Sequence, residues 1–455
     1  MKWRWAWLSL LLIGCDRTPP DHKVHITYWE KWSGAEAAAM QAVVDAFNRS
    51  QDRIVVEFLS TSSVDRKTLV ATAGGDPPDV AGLWVPNIYS FADRDALMPL
   101  DDFIRAEGYT LDEWAARYAP VYADMVRYRG RFYGLPATPA TTALHWNKRL
   151  FREAGLDPDR PPRTVAELDE FAERLTKRDP RTGAIVQLGF LPQEPGWFSW
   201  AFPQWFGAKY VDESGEIAIG HSPAARTAYE WVARYTRRYG LNEVRTFVAG
   251  FGGFASSQNP FMAGKVAMVL QGVWMDNFIN QFAPGLEYGV APWPAAQHGQ
   301  ENFTVADLDV LVIPRGAKHP REAWEFIKYV NSINPYAQRS EELQGMELLC
   351  YLQKKQSPLR QWSPFFERHH PHRYIALFRA LGDSPNAIHY PKIGIWQEYR
   401  RELDSVFESV RLLARSPEEA LAFCQQRVAD SWRWHRRSLE RRGALWTIGT
   451  PGEHP

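Results

Sequence analysis

The chain has 455 residues and carries 53 Lys and Arg against 53 Asp and Glu, so its formal net charge is zero. A neutral chain lacks the positive field that attracts nucleic acid or anionic lipid, which argues against a polyanion partner. The length corresponds to two or three domains, and three cysteines cannot form a disulfide framework. The 20 Trp, 18 Tyr and 24 Phe are a large aromatic content that a functional interpretation must explain.

Residues 1–14 are typical of an export signal, with a basic start and an apolar run too short to cross a bilayer. The LIGC sequence that ends at Cys15 resembles the lipobox of bacterial lipoproteins, which implies cleavage before Cys15 and lipidation of that cysteine. An ordinary cleaved leader is the alternative, and both predict an exported protein. Residues 15–23 are polar and contain two prolines, which predicts a tether between lipid and globule.

Strands and helices alternate after the tether. The β-rich segments are 24–29, 54–58 and 79–83, separated by helical patterns. The first of these helices is marked by Met40, Val43, Val44 and Phe47, which share one helical face. This alternation predicts an α/β fold with a parallel sheet.

Later helices carry recognisable start signals. Capping-box patterns at 164–167 and 416–419 predict helix starts, the second with proline at the first helical position. A strand at 308–313 is followed by an apolar helical stripe over 322–331. The α/β pattern therefore extends along the chain.

Six ordered blocks resemble the extracellular solute-binding proteins of bacterial ABC importers, in the group of maltose- and trehalose-binding proteins. The blocks are 73–80 (AGGDPPDV), 97–102 (LMPLDD), 131–136 (RFYGLP), 146–158 (WNKRLFREAGLDP), 261–268 (FMAGKVAM) with Gly272 and Trp274, and 313–316 (IPRG) with 323–326 (AWEF). The resemblance covers nearly the whole mature chain, and the 146–158 block is the most specific. It departs from the family pattern at 145–146 and over 344–359.

The resemblance implies a two-lobed α/β clamshell of the type II periplasmic-binding-protein class, with parallel or mixed sheets flanked by helices. It implies three hinge segments, placed near 137–141, 293–297 and 334–338. The expected N-lobe is 24–137 with 297–334, the C-lobe is 138–296 with 335–440, and 441–455 is a tail. It also implies a monomer, lipid-anchored outside the cell or in the periplasm, that delivers a sugar or oligosaccharide to a membrane permease.

A sugar needs flat apolar walls for its C–H face and polar side chains for its hydroxyl rim, which indoles and carboxylates supply. Glu30 and Trp32 follow the first predicted strand, and Trp84 and Asn87 follow the third. Open α/β sheets bind ligands at the carboxyl ends of their strands. We therefore predict that these four side chains contact the ligand.

Further candidates come from aromatic loops and from positions that the resemblance associates with sugar contact. They are Glu194, Trp197, Trp274, Trp293, Asp307 and Trp396. Ordinary packing within or between the lobes is the alternative for each of them.

Other classes of function leave weaker signals. A secreted carbohydrate-active hydrolase would need two placed carboxylates, and the adjacent pair Asp101 and Asp102 points opposite ways in a strand. The HHPH sequence at 369–372 is read as a loop rather than a metal site. We predict no catalytic residue, metal or cofactor. A non-sugar solute stays open, as does a sugar phosphate if Arg66 or Lys31 turned inward.

Overall fold

The structure is a computed structural model that describes residues 22–442. The predicted export signal, the lipidation site Cys15 and nearly all of the tether lie outside the described residues, as does most of the tail.

The strands of the described chain are β1 (Val24–Glu30), β2 (Ile54–Ser60), β3 (Val80–Trp84), β4 (Arg127–Tyr128), β5 (Arg131–Phe132), β6 (Leu135–Asn147), β7 (Lys177–Arg178), β8 (Ile185–Gln187), β9 (Met268–Gly272), β10 (Tyr288–Ala291), β11 (Thr304–Val312) and β12 (Ala387–Ile388).

The helices of the same residues are α1 (Gly34–Ser50), α2 (Val64–Ala73), α3 (Val85–Asp93), α4 (Asp101–Ala106), α5 (Leu111–Ala115), α6 (Pro120–Val126), α7 (Lys148–Glu153), α8 (Val165–Leu175), α9 (Phe202–Trp205), α10 (Pro223–Tyr239), α11 (Leu241–Val248), α12 (Met275–Phe282), α13 (Pro320–Val330), α14 (Gly345–Leu352), α15 (Pro364–His369), α16 (Ile375–Gly382), α17 (Trp396–Arg411) and α18 (Pro417–Arg441).

Both predicted capping sites begin helices. At α18 the Ser416 hydroxyl accepts from the Glu419 N–H and the Glu419 carboxylate accepts from the Ser416 N–H, so the box is complete. At α8 the Thr164 hydroxyl accepts from the Glu167 N–H, but the Glu167 carboxylate turns to the Arg163 N–H instead. The helix starts are confirmed, and only the second box is reciprocal.

The main sheet is mixed. Strands β1, β2 and β3 pair in parallel, whereas β11 is antiparallel to both β3 and β6. Strands β9 and β10 also run antiparallel to β6. The parallel pairing predicted from the first three strands is therefore confirmed, and the later strands make the sheet mixed, because β6, β9, β10 and β11 pair antiparallel and, in the described chain, only the short β12 lies parallel to β11.

Strand β6 belongs to two halves of the molecule, one built around β1–β3 and the other around β9 and β10. Its residues from Leu135 to Thr141 pair with β11, and those from Thr142 to Asn147 pair with β9 and β10. The chain therefore changes halves within β6, beside the first predicted hinge segment at 137–141.

The second predicted hinge segment, 293–297, packs on the half that contains α8. The Ala295 N–H donates to the Arg163 carbonyl at 2.8 Å, and the Ala295 carbonyl accepts from the Val165 N–H at 3.0 Å. These hydrogen bonds favour a crossing further along the chain, within β11.

The third predicted hinge segment, 334–338, precedes the residue that bridges the two halves. Gln353 donates to the Glu36 carbonyl at the start of α1, and its own carbonyl accepts from the Asn277 side chain in α12. The exact lobe boundaries stay a prediction, and Gln353 is one point at which the two halves meet.

One large buried cluster, rich in aromatic side chains, contains residues of both halves, and a smaller one surrounds β9, β10 and α12. Cys350 and Cys424 are both buried as free thiols, at separate places in the core. Within residues 22–442, no helix combines the length and the apolar content that crossing a bilayer requires.

Candidate functional site

Strand register brings several predicted site residues onto one stretch of the main sheet. Trp84 at the end of β3 lies opposite Asp309 of β11, and Asp307 lies opposite Ala140 of β6. Asp307 and Asp309 are both partly exposed, whereas Leu308 between them is buried. The alternation of a strand therefore places both carboxylates on the open face, beside the indole of Trp84.

Trp274 reaches the same region from β9. Gly272 of β9 pairs with Thr142, two residues along β6 from the partner of Asp307, a separation of about 7 Å. The Trp274 ring lies directly over Gly272, where an added Cβ would come within 2.2 Å of the ring. Its Nε1–H donates to the Gln271 side-chain oxygen at 3.2 Å. Only glycine leaves room for the indole in this position.

Glu30 is fully buried and its carboxylate is already occupied. Its two oxygens accept from the Tyr28 hydroxyl at 2.6 Å and from the Lys31 N–H at 2.7 Å. A Cβ added to Gly82 would lie 1.8 Å from the nearer oxygen, so the carboxylate fills the space beneath that glycine. Direct ligand contact by Glu30 stays a prediction, and its observed role is to hold its neighbours.

Lys31 was not among the predicted ligand-binding residues, yet its ammonium is central to this site. Nζ lies 2.9 Å from Asp309 Oδ1 and 3.2 Å from Glu30 Oε1. Burial alone would lower the pKa of this ammonium, but the charges of Asp309 and Glu30 outweigh burial and raise the pKa of Lys31 above its usual value. Lys31 therefore stays charged. The feature of the sequence that could have identified Lys31 is its position between Glu30 and Trp32 in the same loop.

The two predicted ligand-binding indoles of this half, Trp32 and Trp84, differ in solvent exposure. Trp32 is buried, with the ammonium groups of Lys31 and Lys355 at 5.1 and 5.6 Å from its ring centroid. Trp84 is 43% exposed. Asn87, in the first turn of α3, is buried, and its Oδ1 has no hydrogen-bond partner among the described residues. Trp84 is thus the indole that this half offers to a solute.

The loop of Glu194 and Trp197 forms the aromatic wall of the other half. Trp197 is 41% exposed, and its ring lies 4.7 Å from that of Phe254 and 6.3 Å from that of Trp274. Glu194 and Trp197 line a small, partly open cavity together with Phe198 and other mostly apolar side chains. The structure therefore brings three predicted site residues, Glu194, Trp197 and Trp274, into one region, and their contact with a ligand stays a prediction.

The carboxyl group of Glu194 has no hydrogen-bond or ion-pair partner in residues 22–442. Burial raises the pKa of Glu194 to about 7. A carboxyl group left without a partner in an aromatic cavity is one that a ligand hydroxyl can pair with.

Asp307 is joined to the aromatic wall by Tyr390. The Tyr390 hydroxyl donates to Asp307 Oδ2 at 3.0 Å, and its ring stacks on Trp200 with centroids 4.4 Å apart. Burial and the charge of Asp309 raise the pKa of Asp307 to about 6, against the lowering effect of the hydrogen bonds from Leu308 N–H and Tyr390. Sequence reasoning missed Tyr390, which has no neighbouring motif.

Trp293 and Trp396 lie in aromatic packing clusters. Trp293 is 2% exposed and packs against Trp205, with ring centroids 5.0 Å apart. Trp396 is 1% exposed and packs edge-on against Trp200 at 5.4 Å. Neither indole has an exposed face, so the structure does not bring them to the site surface, and sugar stacking by either one stays a prediction.

Two of the three histidines of the HHPH sequence contact backbone carbonyl groups. The Nε2 atoms of His370 and His372 lie 3.1 Å from the carbonyl oxygens of Lys355 and Val273, respectively. Within the described part of the chain, no group of three or more His, Cys, Asp or Glu side chains is arranged to hold a metal ion.

Comparison with known proteins identifies the class of protein that this fold and site define. The family model for bacterial extracellular solute-binding proteins matches residues 31–333, more than half of the chain. The chain therefore belongs to this family, and the predicted resemblance is confirmed.

Two characterised relatives illustrate the range of solutes in the family. The chain is 22% identical to the maltotriose-binding protein of Pyrococcus abyssi (strain GE5 / Orsay) over 314 residues, which are 68% of this chain and 63% of that protein. The match thus spans less than two thirds of that relative. It is 23% identical to the sn-glycerol-3-phosphate-binding periplasmic protein UgpB of Agrobacterium fabrum (strain C58 / ATCC 33970) over 377 residues, 79% of this chain and 81% of that protein. Both are binding proteins rather than enzymes.

Solved structures share the architecture. CpMnBP1 with mannotriose bound superimposes with a TM-score of 0.74 at 28% identity, covering 89% of this chain and 99% of that one. The sugar-binding protein MalE from Xanthomonas citri superimposes with a TM-score of 0.70 at 21% identity, covering 92% and 100%. These similarities confirm the two-lobed α/β fold.

Proposed function

We propose that the protein is the substrate-binding component of an ABC importer and captures a neutral sugar or oligosaccharide between its two lobes. The proposal rests on the half-exposed indoles Trp84 and Trp197, one on each half, and on two carboxyl groups. Asp307 accepts hydrogen bonds from Tyr390 and Leu308, and Glu194 has no partner within residues 22–442. Indole faces suit the C–H face of a pyranose, and carboxyl groups suit its hydroxyl rim. Trp274 lies between these groups along β6 and β9.

Charge in the site favours a neutral solute over a phosphorylated one. Lys31 does turn inward, but its single positive charge is shared by Glu30 and Asp309. Arg66 is exposed on α2, away from these contacts. With Asp307 also present, a dianionic phosphate would meet more negative than positive charge. The similarity to maltotriose- and mannotriose-binding proteins supports the same choice.

A carbohydrate-active hydrolase is the alternative. The acidic pair that sequence offers for it is engaged elsewhere: Asp101 Oδ1 accepts from the Phe132 N–H at 3.0 Å, and Asp102 is an exposed partner of Arg105 at the start of α4. The named relatives are binding proteins. Chemistry is not needed to explain the site, because a few aromatic stacks and charge-assisted hydrogen bonds provide about −8 kcal/mol, which is micromolar affinity.

Ligand that contacts both lobes stabilises the closed form, so binding is a population shift towards closure. We place the hinge in β6, in β11 and near Gln353, where hydrogen bonds join the two halves. The closed protein then delivers its solute to a membrane permease. Lipid anchoring at Cys15, a location outside the cytoplasm and a monomeric state complete the proposal.

Native mass spectrometry of freshly purified protein, followed by a thermal-shift series with maltotriose, mannobiose and mannotriose, tests the proposal. A bound sugar adds its mass and raises the melting temperature, because it binds only the folded state. Small-angle scattering with the bound sugar should show a smaller radius of gyration. Sugar recovered intact after incubation supports a binder, and its cleavage would establish the hydrolase.

A further inference from the structure

The ammonium of Lys31 lies among four side chains, two acidic and two aromatic. Nζ is within 3.2 Å of both Glu30 and Asp309, and it is 5.1 Å from the ring centroids of both Trp32 and Trp84. Only 7% of the Lys31 side chain is exposed. The ammonium is therefore part of the wall of the site rather than a free cation for an anionic solute.

The carboxylates that contact the Lys31 ammonium are themselves held in place. Glu30 is fixed by the hydrogen bond from the Tyr28 hydroxyl and by the confined space beneath Gly82. Asp309 is fixed by its place in β11, and its Oδ2 accepts from the Thr138 hydroxyl at 3.3 Å. Two anchored carboxylates thus hold the cation.

Among these side chains, Trp84 is the one held least by contacts with other residues. Its indole makes no ring contact and no hydrogen bond to any residue in 22–442, and it is 43% exposed. The ammonium of Lys31 over its ring is the one polar contact that the described chain gives it. Cation–π attraction of this kind strengthens when the cation is removed from water, as Lys31 is.

We propose that Lys31 is a positioning residue of the sugar site, which holds the Trp84 indole by one face so that the rest of the ring is presented to a pyranose. The inference rests on the proposed function. A ring that is already held loses less conformational freedom when the sugar stacks on it, and affinity rises accordingly. Glu30 contributes indirectly, because it holds the lysine.

A double-mutant cycle tests whether Lys31 acts through Trp84. Lys31→Met should lower affinity for the tightest-binding sugar of the maltotriose, mannobiose and mannotriose series at least fivefold. In a Trp84→Ala background the same change should alter affinity less than twofold. An equal loss in both backgrounds would overturn the proposal, because it would show that Lys31 acts on the sugar directly or through general stability.

A second readout does not depend on sugar. The indole ¹H–¹⁵N resonance of Trp84, assigned by its disappearance in Trp84→Phe, should shift in Lys31→Met. The resonance should shift by the same amount in the double variant Lys31→Met with Asp309→Asn. This variant removes a carboxylate together with the cation, so no buried Asp309 charge is left unpaired to disturb folding. Lys355→Met is the matched control, because Lys355 is also buried, paired and near Trp32.

The two hypotheses fail in different ways. If the wild-type protein binds no sugar of the series, the proposed function fails, and the indole resonance still decides the role of Lys31. A Trp84 resonance that is the same in the wild type and in both Lys31 variants would overturn the positioning role, whatever the protein binds.

Discussion

The Tyr390 hydroxyl donates a 3.0 Å hydrogen bond to Asp307 Oδ2, and so couples a loop of the second half to a strand that also serves the first. This bond opposes the effects of burial and of Asp309 on the Asp307 carboxyl group. Removing the bond should therefore change the acidity of Asp307 in a defined direction.

We expect Tyr390→Phe to raise the pKa of Asp307 from about 6 to about 7, because the ionised carboxylate loses a donor that stabilises it. A ¹³C NMR titration of the carboxyl group measures this value. Tyr374→Phe is the matched control, because that hydroxyl donates to the Tyr288 carbonyl instead. A pKa for Asp307 that is unchanged in Tyr390→Phe would contradict the assigned bond.

The ionised carboxylate of Glu194 should destabilise the folded state at alkaline pH. Its pKa is raised from 4.5 to about 7, so the folded state binds more protons than the unfolded state between these values, and stability falls as pH rises through them. Glu194→Gln should remove this loss and raise the free energy of unfolding at pH 8 by about 3 kcal/mol. Urea titrations at pH 5 and pH 8 measure the difference, and an equal effect of the substitution at both would count against a desolvated carboxyl group.

His370 should have the opposite dependence. Burial and the neighbouring His372 lower the pKa of His370 to about 4, below the 6.5 of an unfolded histidine. The unfolded state therefore binds more protons between pH 4 and 6.5. The stability contribution is full above about pH 6.5 and is lost as the pH falls towards 4.

We expect His370→Gln to weaken this dependence by about 2 kcal/mol between pH 7 and pH 4.5, compared by denaturant unfolding. Glutamine keeps a donor and an acceptor for the two hydrogen bonds of the imidazole, with the Lys355 carbonyl and the His372 N–H. The exposed His298→Gln is the control. If the free energy of unfolding of both variants depended on pH as it does in the wild type, a neutral His370 at this site would be excluded.

Gly82→Ala should destabilise the protein by about 2–4 kcal/mol. The new methyl group would lie 1.8 Å from the Glu30 carboxylate, which has its own hydrogen bonds and cannot move without losing them. Gly285→Ala is the control, because a Cβ there meets no atom within 4 Å. Equal unfolding midpoints for the two variants in guanidinium would show that Glu30 is not confined.

The sequence could predict the family, the two-lobed fold and the starts of α8 and α18, because those depend on local patterns and on ordered blocks. It could not separate exposed from buried tryptophans. Trp84 and Trp396 both follow a predicted strand or turn, yet one is half-exposed and the other is enclosed by Trp200 and Tyr390. Glu30 shows the same limit, since the tertiary contact with Gly82 decides where its carboxylate lies.

Trp197 and Trp396 lie in the same half, one exposed and one buried, so their substitution should have different effects. Trp197→Ala removes a 41%-exposed ring, so sugar affinity should fall about tenfold while the free energy of unfolding changes by less than about 1 kcal/mol. Trp396→Ala removes a fully buried ring and should cost about 3–5 kcal/mol of stability. Calorimetric binding and urea unfolding, carried out on both variants, measure the two effects. A stable Trp396→Ala protein that had lost sugar binding would reverse the assignment and return Trp396 to the ligand site.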